Sequence, residues 1–179
     1  MVFIPPIKTN TRPTKMDSIH FSKFPSLTDT KVLSRNLLLK IVAEHLTSSP
    51  EIVDDKRKVK KLYSFMRYKP NTTRANQNIT HATGIVLDFD FKDALDSSNN
   101  LNGHEYIKDL LKNASNLNDY YYIYHTTFSY SPHRPNFRLI VPYAPEQETP
   151  IEQHKDNVKN FIRTFFPSHQ AIDNDLDRV

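Results

Sequence analysis

The sequence predicts an α+β protein in which a βαββαβ core follows an N-terminal α/β lobe. Three observations lead to this fold class. From residue 83 onward, strand-like and helix-like apolar patterns succeed one another in that order. The segment "GIVLDFDF" is a buried-strand pattern that ends in two carboxylates, Asp88 and Asp90. The first 80 residues lack this regularity and contain one clear helical period.

Length and composition favour one domain with an added lobe. The chain has 179 residues, of which 25% are charged and 37% hydrophobic, as in a globular protein. We expect residues 1–80 to form the lobe and residues 81–179 the core, with any boundary in the 68–80 loop. Cysteine is absent, which excludes disulfides and thiolate metal sites, and the two glycines form no Gly-rich phosphate loop.

The charge and hydropathy pattern indicates a soluble, cytoplasmic protein with no membrane contact. No apolar run approaches the roughly 20 residues needed to span a bilayer. The N-terminal segment carries prolines where a signal peptide would have its apolar helix. The net charge of +4 permits a polyanionic partner without demanding one.

Four segments make up the expected lobe. Residues 1–28 are rich in proline, threonine and serine and predict irregular or weakly extended structure. A helix is expected from a cap at Thr28 or Asp29 to Ser48. Its apolar residues at helical spacing are Val32, Leu33, Leu37, Ile41 and Leu46. A second, basic helix is expected over 54–68, and a polar loop over 69–80.

The core elements follow one another with turn signals between them. Strands are predicted at 83–91, 120–128 and 137–143, and a last strand begins at Gln170. Helices are predicted at 104–115 and 151–166. Right-handed crossovers in this split βαβ order give the sheet order 4-1-3-2. The ends of strands one and two then meet the starts of strands three and four at one edge.

Asp88 and Asp90 stand two residues apart on a strand and therefore point to the same face. Two such carboxylates repel, and a divalent cation removes the conflict because Mg²⁺ prefers hard oxygen ligands. Asp173, at the start of strand four, is placed to complete a site for one or two Mg²⁺ or Mn²⁺ ions. Asp175 and Asp177 are alternatives to it. The plainer interpretation is a strand end whose carboxylates meet solvent.

Strands two and three bring further polar groups to this edge. Arg138 either forms a structural ion pair or binds a triphosphate through the parallel N–H donors of its planar guanidinium group. His125 is either an ordinary half-buried histidine or part of a binding site, and Ser129 supplies a hydroxyl suited to phosphate oxygens.

Two other groups of residues invite a nucleic-acid interpretation. A basic run could follow a nucleic-acid backbone, although such runs are most often merely solvated; it comprises Lys56, Arg57, Lys58, Lys60 and Lys61. Tyr120, Tyr122 and Tyr124 share one strand face and are expected to pack in the sheet rather than to stack on bases.

Taken together, these segments resemble the archaeo-eukaryotic primase superfamily, in particular the primase-polymerase domains of plasmids, phages and other mobile elements. "GIVLDFD" resembles its first motif, at Asp88 and Asp90. "YHTTFSYSPHRPNFRLIVP" resembles its second, with Ser129 and Arg138 as motif residues and His125 as an accessory. "AIDNDLDR" resembles its third, with Asp173 as metal ligand followed by Arg178. The resemblance covers residues 80–179 and departs from the family in the second motif, where arginine replaces the usual histidine.

The resemblance implies an RRM-like core and a DNA primase or primase-polymerase that uses two divalent metals. Asp88, Asp90 and Asp173 would be catalytic metal ligands, and His125, Ser129, Arg138 and Arg178 would bind the nucleotide. Single-stranded DNA template and nucleoside triphosphates would be its partners, with a replicative helicase as a further one. The alternatives are a replication-initiator or origin-binding module on the same fold, and a metal-dependent nuclease.

Overall fold

The computed structural model of the chain describes residues 18–24, 30–47, 62–91, 102–114 and 116–167. The strands are β1 (Ser18–Phe24), β2 (Leu33–Leu38), β3 (Leu62–Ser64), β4 (Met66–Tyr68), β5 (Ile79–Ala82), β6 (Gly84–Phe89), β7 (Ile123–Thr126), β8 (Phe137–Pro142) and β9 (Thr149–Pro150). The helices are α1 (Leu39–Thr47), α2 (Gly103–Asn113) and α3 (Ile151–Phe165). The described part is therefore mixed α+β, and none of its helices is long and apolar enough to cross a membrane.

The strands form three small antiparallel sheets with the orders β2-β1-β3, β4-β5-β9 and β6-β8-β7. The third sheet contains the first three predicted core strands in the predicted order, with strand three between strands one and two. The predicted fourth strand lies outside the described residues. β5 runs across the expected 80/81 boundary and pairs with β4 before it and β9 after it.

The β6-β8-β7 sheet has apolar contacts on both faces, which explains the continuous apolar run of β8. Leu139 belongs to the larger core, together with residues of α2 and α3. Ile140 points the other way and joins a second cluster with Ile19 of β1 and Val42 of α1. Leu87 and Phe89, which alternate with Asp88 along β6, face the larger core.

The two predicted core helices are confirmed, and local signals explain their bounds. The Asn102 side chain accepts from the backbone N–H groups of His104 and Glu105, and Glu105 reaches back to complete a capping box. The buried face of α3 consists of His154, Asn157, Val158, Phe161 and Phe165.

The helix predicted from Thr28 or Asp29 to Ser48 is correct only in its second half. Residues 33–38 form β2, which pairs with β1 over six residue pairs, and the helix begins at Leu39. Apolar residues four apart fit a helix, but backbone pairing with β1 decided the structure. Thr28 and Asp29 lie outside the described residues.

Two other expectations for the lobe are corrected. Residues 18–24, expected to be irregular or weakly extended, form β1, the middle strand of its sheet. The alternation in "SIHFSKF" was the available signal, since Ile19 and Phe21 are core residues between polar ones. The part of the expected basic helix that the structure describes, 62–68, forms β3 and β4 instead. The loop expected over 69–80 ends earlier, because β5 begins at Ile79.

Candidate functional site

The face of the β6-β8-β7 sheet toward β1 and α1 changes from apolar to polar along its length. Its apolar row of cross-strand neighbours is Val86, Ile140 and Ile123. The next row on the same face, toward the C-terminal end of β6, is Asp88, Arg138 and His125. The same register brings Asp90 next to Asn136 just beyond the end of β6. A polar site therefore begins where the apolar cover ends.

Asp88 and Arg138 form a two-pronged ion pair at the centre of this site. Arg138 Nε donates to Asp88 Oδ1 at 2.6 Å, and Arg138 Nη2 donates to Asp88 Oδ2 at 2.8 Å. The hydrogen bonds that Arg138 donates to Asp88 raise the pKa of Arg138 despite its partial burial, so the guanidinium remains charged. Of the two sequence interpretations of Arg138, the structure displays the ion pair.

His125 lies on the other side of Arg138 and is neutral at pH 7. Burial lowers the pKa of its imidazole by more than the hydrogen bond with the Thr126 carbonyl raises it. The nearby charges of Arg138 and Asp88 have weaker effects of opposite sign, Arg138 lowering the pKa and Asp88 raising it. Nδ1 lies 3.0 Å from the Thr126 carbonyl oxygen, which can only accept, so Nδ1 carries the proton. In this state Nε2 presents a lone pair.

Asn136 organises the second half of the site and was not singled out from the sequence. This residue is only 2% exposed. Its Nδ2 donates to Asp90 Oδ1 at 2.7 Å and to Ser129 Oγ at 3.0 Å, while its Oδ1 accepts from the Phe91 backbone N–H at 2.9 Å. Asp90 is itself exposed. The antiparallel pairing that places Asp88 opposite Arg138 also places Asp90 opposite residue 136. The register between β6 and β8 is therefore the information that would have identified Asn136 as a site residue.

The segment between β7 and β8 is held against the first turn of α2. A Cβ atom added to Gly103 would lie 2.9 Å from the Pro132 carbonyl oxygen and 3.1 Å from Tyr130 Oη. The rings of His104 and Tyr130 are in contact, with centroids 5.0 Å apart. Glycine therefore permits a close approach here that fixes the position of the turn carrying Ser129.

The remaining predicted residues fall into two groups. Those that lie outside the described residues are Asp173, Asp175, Asp177, Arg178, Lys56, Arg57, Lys58, Lys60 and Lys61. The strand predicted over 120–128 is shorter in the structure, so Tyr124 lies in β7 whereas Tyr120 and Tyr122 precede it. All three tyrosines are partly buried and pack against the larger core, as expected. Within the described ranges, no group of three or more histidine, aspartate or glutamate side chains could hold a metal ion.

The donor chemistry at this edge suits a hard cation in one respect and opposes it in another. Asp88 and Asp90 supply carboxylate oxygens, and Asp90 is exposed. Both oxygens of Asp88, however, already accept hydrogen bonds from Arg138. As the structure stands, the ion pair with Arg138 satisfies Asp88 without a metal ion.

No protein-family model, curated protein or solved structure matches the chain.

Proposed function

We propose that the chain is a template-directed nucleotidyltransferase of the primase-polymerase type, which makes or extends short primers during replication of a mobile element in the cytoplasm. The observation that carries this proposal is the polar row of Asp88, Arg138 and His125, with Asp90 beside it, at one edge of the sheet. Binding a metal-bound triphosphate requires carboxylates to ligate the metal and a guanidinium to donate hydrogen bonds to phosphate oxygens, and this row supplies both groups.

The order of elements supports an RRM-like core. β6, α2, β7, β8 and α3 follow the βαββα order, and β8 lies between β6 and β7. Under this proposal, a sixth element from Gln170 would pair with the side of β6 that has no partner strand among the described residues and bring Asp173 to the same edge.

Asp88 and Asp90, with Asp173 as a third ligand, are the residues that would hold Mg²⁺ or Mn²⁺. The metal would supply charge neutralisation at the transferred phosphoryl group. Arg138 would leave Asp88 and donate the same two N–H groups to the triphosphate. Its positive charge would then face an anion both without the nucleotide and with it. Ser129 would add a hydroxyl, while His125 must gain a proton before Nε2 can donate to a phosphate oxygen.

An uneven distribution of charge supports a nucleic-acid partner. Residues 1–82 contain 15 Lys and Arg against 6 Asp and Glu, whereas residues 83–179 contain 9 against 14. A basic N-terminal half attracts a phosphate backbone, and an acidic half that carries the carboxylates suits a cation.

Primer synthesis on single-stranded DNA with Mn²⁺ and nucleoside triphosphates tests the proposal. Asp88→Asn together with Asp90→Asn preserves shape and removes both charges, and we expect it to abolish synthesis. Asp109→Asn, on the exposed face of α2, is the matched control and should leave synthesis unchanged. Synthesis that survives the double substitution would refute the proposed role of these carboxylates.

A second candidate function is supported by the Asp88–Arg138 pair itself. Because that pair satisfies Asp88 without a cation, the same fold could serve as a replication-initiator or origin-binding module with a structural ion pair. Sequence-specific duplex binding in a band-shift experiment, with no nucleotide incorporation under the conditions above, would favour this candidate.

A further inference from the structure

Phe128 is a large aromatic side chain left in solvent beside the candidate site. It is 56% exposed, and Leu38, at 51%, is the other exposed large hydrophobic residue of the described segments. Single exposed apolar residues are common on protein surfaces, so exposure by itself assigns no role. Phe128 differs from Leu38 in that it directly precedes Ser129, whose hydroxyl belongs to the site.

The turn that carries Phe128 is built from the polar groups of the site. Phe128 stands between Thr127 and Ser129, whose hydroxyl oxygens are 3.2 Å apart, and Ser129 Oγ accepts from Asn136. Phe128 is therefore linked to Asp90 through its neighbour Ser129 and through Asn136, which donates hydrogen bonds to both Ser129 and Asp90.

Backbone contacts hold this turn in one conformation. The Tyr130 N–H donates to the Thr127 carbonyl at 3.1 Å, and the Thr127 N–H donates to the Asn136 carbonyl at 3.1 Å. The contact of Tyr130 and Pro132 with Gly103 fixes the far side of the same segment. An aromatic ring on a turn that is already ordered loses little conformational entropy when a ligand covers it.

The polar groups of the candidate site suit the charged part of a nucleotide but leave its base without a partner. Carboxylate, guanidinium and hydroxyl groups recognise metal and phosphate, whereas a nucleobase binds best to a flat apolar surface. Tyr124 of β7, and Tyr120 and Tyr122 before it, pack against the larger core.

We infer that Phe128 is a nucleobase-stacking site. The inference rests on the nucleotide chemistry proposed above and extends it to the base, which belongs either to the incoming nucleotide or to the single-stranded template. Stacking is tolerant of sequence because every base has a π face. Phe128 therefore contributes affinity rather than base selectivity.

The absence of tryptophan from the chain provides a direct test. Phe128→Trp introduces a single tryptophan, whose emission can be excited selectively over that of the tyrosines and which a stacked base should quench. Four probes are titrated with Mn²⁺ present: ATP, inorganic tripolyphosphate, oligothymidylate and an abasic oligonucleotide of equal length. We expect quenching by ATP, by oligothymidylate or by both, which identifies the source of the base, and none by the two probes without bases. Leu38→Trp is the matched control and should respond to none of them.

Binding affinity gives an independent measurement. We expect Phe128→Ala to weaken binding of the base-bearing probe about ten-fold while Leu38→Ala has no effect. Equal affinities of these two variants, or a Phe128→Trp signal that ignores the base, would overturn the inference. If the wild type synthesises primers but the fluorescence of Phe128→Trp is the same with probes that carry a base and probes that lack one, only the proposed stacking site is rejected. Base-dependent quenching without primer synthesis would instead retain the stacking site and reject the polymerase.

Discussion

The Asp88 carboxylate and the Arg138 guanidinium face each other across neighbouring strands and share two hydrogen bonds, of 2.6 and 2.8 Å. This pair, together with the hydrogen bond from Asn136 to Asp90, explains how two carboxylates can stand two residues apart at a strand end. The sequence suggested a cation as the compensating charge. In the structure, a guanidinium and an amide provide the compensation.

The first prediction concerns competition between Arg138 and a metal ion for Asp88. Arg138→Gln removes the competing charge, so we expect Mn²⁺ to bind about ten-fold more tightly in the absence of nucleotide, since a charged hydrogen bond contributes about 1.5–3 kcal/mol. A triphosphate should tighten Mn²⁺ binding in the wild type and should do so much less in the variant. Isothermal titration calorimetry with Mn²⁺ alone, and with a non-hydrolysable nucleoside triphosphate, measures both effects.

Arg67→Gln is the matched control for this experiment. Arg67 makes a similar two-pronged pair with Glu148, at 2.7 and 2.6 Å, and the exposed fraction of its side chain, 37%, is close to the 40% of Arg138. Its loss should leave Mn²⁺ affinity unchanged. If Arg138→Gln behaves in the same way as Arg67→Gln, Asp88 is not a metal ligand.

The second prediction concerns His125 and pH. Because burial and Arg138 lower the pKa of this imidazole, it is neutral at pH 7, and a phosphate oxygen at Nε2 requires it to take up a proton. We therefore expect triphosphate affinity to rise as pH falls from 8 to 6, by at most about ten-fold per pH unit for a single linked proton. His125→Gln should be less dependent on pH, and it corrects for titration of the triphosphate itself. Parallel pH profiles for the two proteins would show that His125 does not touch the ligand.

The third prediction concerns Gly103, where two effects of a substitution oppose each other. Alanine is favoured over glycine by about 1 kcal/mol in a helix interior, and the gain is smaller at Gly103, the first residue of α2. The new Cβ, however, would meet the Pro132 carbonyl oxygen at 2.9 Å and the Pro135 side chain at 3.2 Å. Overpacking of this kind costs about 1–3 kcal/mol, so we expect Gly103→Ala to lower the free energy of unfolding. Urea denaturation measures the change, and Lys112→Ala, exposed on the same helix, should alter it by less than about 0.5 kcal/mol. A Gly103→Ala protein more stable than the wild type would mean that the segment from Tyr130 to Pro135 moves aside at little cost.

The fourth prediction concerns His154, which is buried in α3. Burial lowers its pKa from 6.5 to about 4. The folded state therefore resists protonation while the unfolded state accepts it, and stability that is complete above pH 6.5 is lost as pH falls toward 4. The loss attributable to His154 should approach about 3 kcal/mol near pH 4. His154→Gln should reduce the difference between unfolding free energies measured at pH 7 and at pH 4.5. An identical difference in both proteins would place the acid sensitivity elsewhere.

The core region of the chain was predictable because its elements carry strong local signals. The helices α2 and α3 have apolar faces with the helical period, and β8 is a continuous apolar run between turn residues. Once these elements were assigned, the handedness of crossover connections predicted that β8 lies between β6 and β7. The lobe was less predictable, since β2 carries a helix-like spacing of leucines and only its pairing with β1 makes it a strand.

The sequence by itself determined the type of the five core elements that the structure describes, the face on which Asp88 and Asp90 lie, and the proximity of these carboxylates to Arg138 and His125. The element types and the face follow from hydrophobic periodicity, which depends on residues close together in the chain. The proximity of the four residues follows from the handedness rule for crossover connections. Only the tertiary structure decided that Arg138 occupies both oxygens of Asp88 and that Asn136 holds Asp90 and Ser129 together. Such partnerships depend on the register between strands and on side-chain orientation, which long-range packing sets and no local pattern encodes.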